Sequence, residues 1–153
     1  MADNPRAAAL RLLSRRDLTT AELTAKLLDR GFESADVTRV VKGFVADGTI
    51  DNRRTALAYV RTASQVKARG RRRIRLELQL RGLAPDVIDE VLAEALPIDE
   101  DFETIRRFLA RRGGSARRSL ADRQRLFQQL LRRGFAPDAI AKALRTQRPD
   151  EDE

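Results

Sequence analysis

The sequence predicts an all-α protein built from three tandem three-helix repeats that form an elongated, curved array. Three segments of the 153-residue chain align on a glycine: TTAELTAKLLDRGFESADVTRVV, GRRRIRLELQLRGLAPDVIDEVL and DRQRLFQQLLRRGFAPDAIAKAL. Their glycines, Gly31, Gly82 and Gly134, stand 51 and 52 residues apart. Apolar residues make up 42% of the chain and aromatics only 5%, so the core rests on Leu, Val, Ile and Ala, a mixture that suits helix packing better than a β-sandwich.

The first repeat, residues 4–47, opens with Asn4 as a cap and Pro5 at the first helical position, ahead of AAALRLL. Its second helix starts at a capping box, Thr19-Thr20-Ala21-Glu22. Leu23 and Leu27 lie eight and four residues before Gly31, on one helical face, and the glycine supplies the left-handed turn that ends the helix. Phe32 follows, where a contact back onto the last turn is expected. Ser34 opens a third helix with the stripe Val37, Val40, Val41 and Phe44.

The second repeat, residues 51–96, repeats this plan. Asp51 or Asn52 caps a run through Ala56, Tyr59, Val60 and Ala63, and Tyr59, the only tyrosine, reads as half-buried core rather than a stacking platform. Gly70 takes the cap position of the next helix, Ile74 and Leu78 precede Gly82, and Leu83 follows it. Pro85 begins the third helix, striped by Ile88, Val91 and Leu92. Within the middle helix, IRLELQLR alternates as a strand does, but only Ile74 and Leu78 belong to the repeated stripe. Leu76 and Leu80 lie on the other side of the same helix, and a middle repeat flanked on both sides is expected to use them against a neighbour.

The third repeat, residues 99–147, begins at Asp99 to Asp101 ahead of Phe102, Ile105, Phe108 and Leu109. A loop over residues 113–119 leads to a helix expected to cap at Asp122, with Leu126 and Leu130 before Gly134 and Phe135 after it. Pro137 opens the last helix, striped by Ile140, Ala143 and Leu144. An acidic tail, residues 148–153, is expected to be disordered. Each repeat is too small to be strongly stable alone, so the repeats must lean on one another.

Cysteine and histidine are absent, which removes disulfides, thiolate nucleophiles, imidazole bases and Cys/His metal sites together. The carboxylates fall at helix starts, on exposed faces and in the tail, and none forms a recognisable catalytic pair. Gly113-Gly114 lacks the lysine of a phosphate loop. These absences point away from an enzyme and from any cofactor or metal. No segment approaches the roughly 18 apolar residues of a membrane helix, so a cytoplasmic protein with no membrane partner is expected. The net charge of +8 predicts attraction to polyanions, of which nucleic acid is the common one.

The spaced motifs resemble the bacterial RecX regulatory proteins, modulators of the RecA recombinase. The resemblance covers residues 6–146. It rests on Thr19-x-x-Glu22-Leu23-x-x-Lys26-Leu27-x-x-x-Gly31-Phe32 and on Gly48-x-Ile50-Asp51-Asn52-x-x-x-Ala56-x-x-Tyr59-Val60. Lys67-x-x-Gly70, Ile74-x-x-Glu77-Leu78-x-x-x-Gly82-Leu83 and Leu130-x-Arg132-Arg133-Gly134-Phe135 complete it. Thr19 stands where the family often has Ser, Thr55 where it often has an aromatic residue, and three arginines precede Ile74 where glycine is commoner. The resemblance implies a non-enzymatic protein that binds the RecA–DNA filament. It would act as a negative regulator, limiting filament extension or promoting disassembly in recombination, repair and the SOS response, and a monomer is the expected state. Activating members are conceivable, and a small DNA-binding or helix-turn-helix transcription regulator is the alternative reading. Against that alternative, no helix pairs a short turn with a base-reading set of Asn, Gln and Arg on one face.

Binding such a filament, with its single- or double-stranded DNA, calls for positive charge, and Arg can grip phosphate or carboxylate with two parallel hydrogen bonds. The candidates in the second repeat are Arg53, Arg54, Arg61, Lys67, Arg69, Arg71, Arg72, Arg73 and Arg75. A second group, Arg111, Arg112, Arg117 and Arg118, flanks the glycine loop. Solvated helix faces are the alternative role for both groups.

Overall fold

The computed structural model describes residues 4–113 and 118–147, and these residues form nine helices and no strand. Helices α1 (Pro5–Leu13), α2 (Thr20–Asp29) and α3 (Ser34–Ala46) make the first repeat, and α4 (Asn52–Gln65), α5 (Arg71–Leu80) and α6 (Pro85–Ala95) the second. The third holds α7 (Glu100–Arg111), α8 (Leu120–Arg132) and α9 (Pro137–Arg145). The acidic tail lies outside the described residues.

Each repeat buries its own stripe. Leu23, Leu27, Val37 and Phe44 form one cluster with Ala8, Ala9, Leu18 and Ile50. Ile74, Leu78, Ile88, Val91 and Leu92 form a second with Ala56, Val60 and Ala63, and Tyr59 packs half-buried against it. Leu126, Leu130, Phe135, Ile140 and Ala143 form the third with Ile105 and Leu109. The glycine turns close each middle helix in the same way. The N–H groups of Gly31, Gly82 and Gly134 donate to Leu28, Gln79 and Leu131 at 2.9–3.0 Å, and those of Phe32, Leu83 and Phe135 reach back to Leu27, Leu78 and Leu130. All three glycines have positive φ, the conformation this turn requires.

Two expectations need correction. The eighth helix begins one turn before Asp122: Ser119 is its cap, accepting from the Asp122 N–H at 3.1 Å while donating to the Asp122 carboxylate at 2.9 Å. Asp122 is acidic and sits in the first turn, where it interacts favourably with the helix dipole, and so mimics a cap in sequence. Leu76 and Leu80 pack against no neighbouring repeat; they are 54% and 78% exposed. The reason is the way the repeats join.

The repeats meet end to end through helix termini. At the first joint, the Thr19 hydroxyl donates to the Arg81 carbonyl at 2.7 Å, and the Arg81 guanidinium reaches the Glu22 carboxylate at 2.9 Å. The Thr20 N–H donates to the Asn52 side chain at 2.9 Å. At the second joint, the Gly70 N–H donates to the Arg133 carbonyl at 2.7 Å and the Arg72 N–H to the Gly134 carbonyl at 3.2 Å. Between them, the Arg71 N–H donates to the Asp101 carboxylate at 3.2 Å. The first N–H groups of a helix have no partner inside it. Here the following repeat supplies one: an Asn or Asp at the start of its own first helix at both joints, and at the second joint the carbonyls of its glycine turn as well. Gly70 offers no side chain to cap α5, so these bonds from the third repeat take that role.

The joints fix which glycines can change. A Cβ at Gly82 would stand 2.5 Å from the Ala21 Cβ, and one at Gly134 2.4 Å from the Arg73 Cβ, whereas one at Gly31 meets nothing. Gly31→Ala is expected to cost only the strain of a left-handed alanine, about 1–2 kcal/mol, while Gly82→Ala and Gly134→Ala cost more. Urea unfolding of the three variants checks the order. Burial favours neutral Glu22, but the Thr19 N–H and the Arg81 guanidinium outweigh it and hold its carboxyl below its ordinary value. A depressed acid stabilises the fold above its unfolded pKa and loses that contribution as pH falls through the folded one. The stability lost in Glu22→Gln is therefore expected to be full at pH 7, to begin shrinking near the ordinary carboxylate pKa of about 4 and to vanish only below the depressed folded value, as measured by melts from neutral to strongly acidic pH.

Candidate polyanion interface

The thirteen cationic candidates separate into structural and free groups. Arg53 pairs with Glu94 and Glu90 across α4 and α6. Arg54 donates to the Gly48 carbonyl at 3.2 Å and holds the turn between the first two repeats. Arg69 and Arg73 share one carboxylate, Glu77, at 2.7 and 2.8 Å, and Arg69 also donates to the Tyr59 hydroxyl. Arg71 donates to the carbonyls of Leu96 and Pro97, pinning the link between the second and third repeats, and Arg75 pairs with Asp89. Arg118 donates to the Gln147 side chain at 2.7 Å. Arg117 lies outside the described residues.

Arg61, Lys67, Arg72 and Arg111 are exposed, and their side chains pair with no acid among the described residues. Arg112, also exposed, has its guanidinium 4.7 Å from the centre of the Phe108 ring. The basic run at residues 69–75 is therefore not one patch. Arg69, Arg71 and Arg73 spend their donors inside the fold, and Arg72 is the exposed member of the four, with no close ion pair among the described residues although its charge acts on Asp101.

Arg133 belongs with the candidates and was not among them. Its guanidinium lies 4.6 Å from the Phe108 ring centre and donates to the Lys67 carbonyl at 2.9 Å. Ala68, next in the chain, is the only non-glycine residue with positive φ among the described residues. Burial, together with Arg112, Arg73 and Arg69, lowers the Arg133 pKa. Four guanidiniums from two repeats thus gather at the second joint, and two of them, Arg69 and Arg73, share the Glu77 carboxylate. A sequence signal was available, since Arg30, Arg81 and Arg133 each stand directly before a repeat glycine. No group of acidic side chains among the described residues is placed to hold a metal ion.

The chain matches three protein-family models: "RecX, first three-helix domain" over residues 6–42, the second such domain over 51–92 and the third over 99–144. The chain belongs to the RecX family. Curated relatives include "Regulatory protein RecX" of Halorhodospira halophila, 39% identical over 90% of this chain and 84% of the relative. The protein of the same name from Trichlorobacter lovleyi is 32% identical over 87% and 88%. The crystal structure of RecX from Lactobacillus salivarius superposes with a TM-score of 0.78 over 94% of each chain at 19% identity, a likeness of fold. The RecX fold accounts for the three repeats, and no helix among the described residues is long and apolar enough to cross a membrane.

Arg71 and Arg72 are neighbours with opposite duties. Arg71→Gln is expected to lower stability by about 1–2 kcal/mol through the lost bonds to Leu96 and Pro97, whereas Arg72→Gln stays within about 0.5 kcal/mol of the parent. Urea titration of both variants tests the split.

Proposed function

We propose that this RecX-family chain is a non-enzymatic negative regulator of the RecA recombinase, acting in the cytoplasm on the RecA–DNA filament and limiting its extension or promoting its disassembly. The observation that carries the reading is the match of all three repeats, in order, to a family whose relatives are named regulatory proteins. The surface supports it. Exposed Arg61, Lys67 and Arg72 suit phosphates, while exposed Leu76 and Leu80, one and two turns along α5 from Arg72, suit a protein partner. A filament of protein and DNA offers both chemistries along one groove. A row of three repeats, joined end to end, can touch more than one filament subunit.

The test is a filament assay. Added in stoichiometric ratio to RecA on single-stranded DNA, the protein is expected to slow strand exchange and ATP hydrolysis. Rates that stay unchanged contradict the reading and favour a small DNA-binding regulator, which would bind duplex DNA without regard to RecA.

A further inference from the structure

The joint between the second and third repeats carries more positive charge than its folding role requires. Arg69 and Arg73 already share Glu77, and neither Arg112 nor Arg133 has an acid partner among the described residues. Only one terminal nitrogen of Arg133 is engaged, on the carbonyls of Lys67 and Ala68. Both Arg112 and Arg133 rest on the Phe108 ring, a contact that fixes planar guanidiniums and leaves their edges free to donate. Arg112 also opens onto a cleft of about 390 Å³, shared with Arg118, Arg125, Gln129, Asp122 and Leu126.

We propose that this joint is a seat for single-stranded nucleic acid, with a phosphate held between Arg112 and Arg133 and the adjoining base entering the cleft beside Gln129 and Leu126. The inference rests on the reading above only in that the partner contains DNA. An unstacked base suits the cleft, because the outer plane of Arg112 can stack on it while the Gln129 amide meets its edge. An acidic peptide would satisfy the guanidiniums equally but would leave that plane and that amide unused. The phosphate has a second effect. Arg69 and Arg73 come from the second repeat and Arg112 and Arg133 from the third, so an anion among them relieves repulsion across the joint. Binding then stiffens the angle between the two repeats.

The probe is a fluorescein-labelled oligo-dT, followed by anisotropy against salt. Arg112→Gln is the informative variant, since that side chain is exposed and pairs with no acid among the described residues; circular dichroism confirms its fold. The expected result is an affinity loss of about tenfold and a salt slope lower by about 0.7, one phosphate contact to a single strand. Arg39→Gln, in the first repeat, is expected to change neither. Oligo-dT should also raise the melting midpoint of the parent protein, and by less that of Arg112→Gln at the same oligonucleotide concentration. Unchanged affinity and slope in Arg112→Gln overturn the proposal. So does competition by polyglutamate as effective as by unlabelled oligo-dT of equal charge, which would assign the seat to an acidic protein. If the parent leaves RecA activity unaltered while Arg112→Gln still loses oligo-dT, the seat stands and the regulator reading falls. If filaments are inhibited and Arg112→Gln binds oligo-dT as the parent does, the reverse holds.

Discussion

The unmet hydrogen-bond donors at the start of each middle helix organise the molecule. An α-helix leaves its first N–H groups without internal partners, and burying them unsatisfied costs about 1–3 kcal/mol each. In the first two repeats the following repeat answers that need. Asn52 takes the Thr20 N–H, and Asp101 takes that of Arg71. The carbonyls of Arg133 and Gly134 take the N–H groups of Gly70 and Arg72. The backbone approach is so close that a Cβ on Gly70 would lie 2.5 Å from Gly134. The third repeat caps its own middle helix with Ser119, and a Cβ on Gly31, in the glycine turn of the first repeat, would meet nothing within 4 Å among the described residues.

Joining by helix ends rather than by helix faces has consequences for the surface. Each repeat completes a separate apolar core, so little hydrophobic area is needed between repeats, and the flank of α5 that carries Leu76 and Leu80 remains exposed. Backbone bonds are directional, which sets each joint at a defined angle without a large interface. The same geometry draws the arginines that precede Gly82 and Gly134 into the joints. Arg81 meets a carboxylate there, Glu22, and its charge is neutralised. Arg133 meets carbonyls and other arginines, and its charge is left over. Two joints of one design therefore differ electrostatically, and that difference sets the candidate site in the third repeat.

Much of the fold was legible because the repeat displays its grammar three times. Glycines at constant spacing, apolar pairs four and eight residues before them, and prolines opening the third helices fix the helices and their buried faces without reference to distant contacts. What was not legible is what depends on distance. The run from Arg69 to Arg75 reads as one basic patch, yet the structure assigns Arg71 to carbonyls some 25 residues on and Arg75 to Asp89, 14 residues on. Leu76 and Leu80 invite a packing partner only if repeats meet by their flanks. Asn52 and Asp101 read as local caps, and nothing nearby in sequence says that Asp51 and Asp99 hold those cap positions while Asn52 and Asp101 cap a helix of the preceding repeat. Arg133 stands inside the glycine-turn motif, whose structural purpose masks its charge in sequence.

Amide hydrogen exchange at Gly70, Arg71 and Arg72 tests most directly whether the third repeat caps the second. Exposed N–H groups at a free helix start exchange rapidly, whereas groups bonded across a joint exchange only when that joint opens. The account predicts strong protection of all three in the parent protein and its selective loss in Asp101→Ala combined with Gly134→Ala, while Ile74 and Leu78 stay protected. Rapid exchange at these three positions in the parent would show that the joint is not held by these bonds, and would contradict the account.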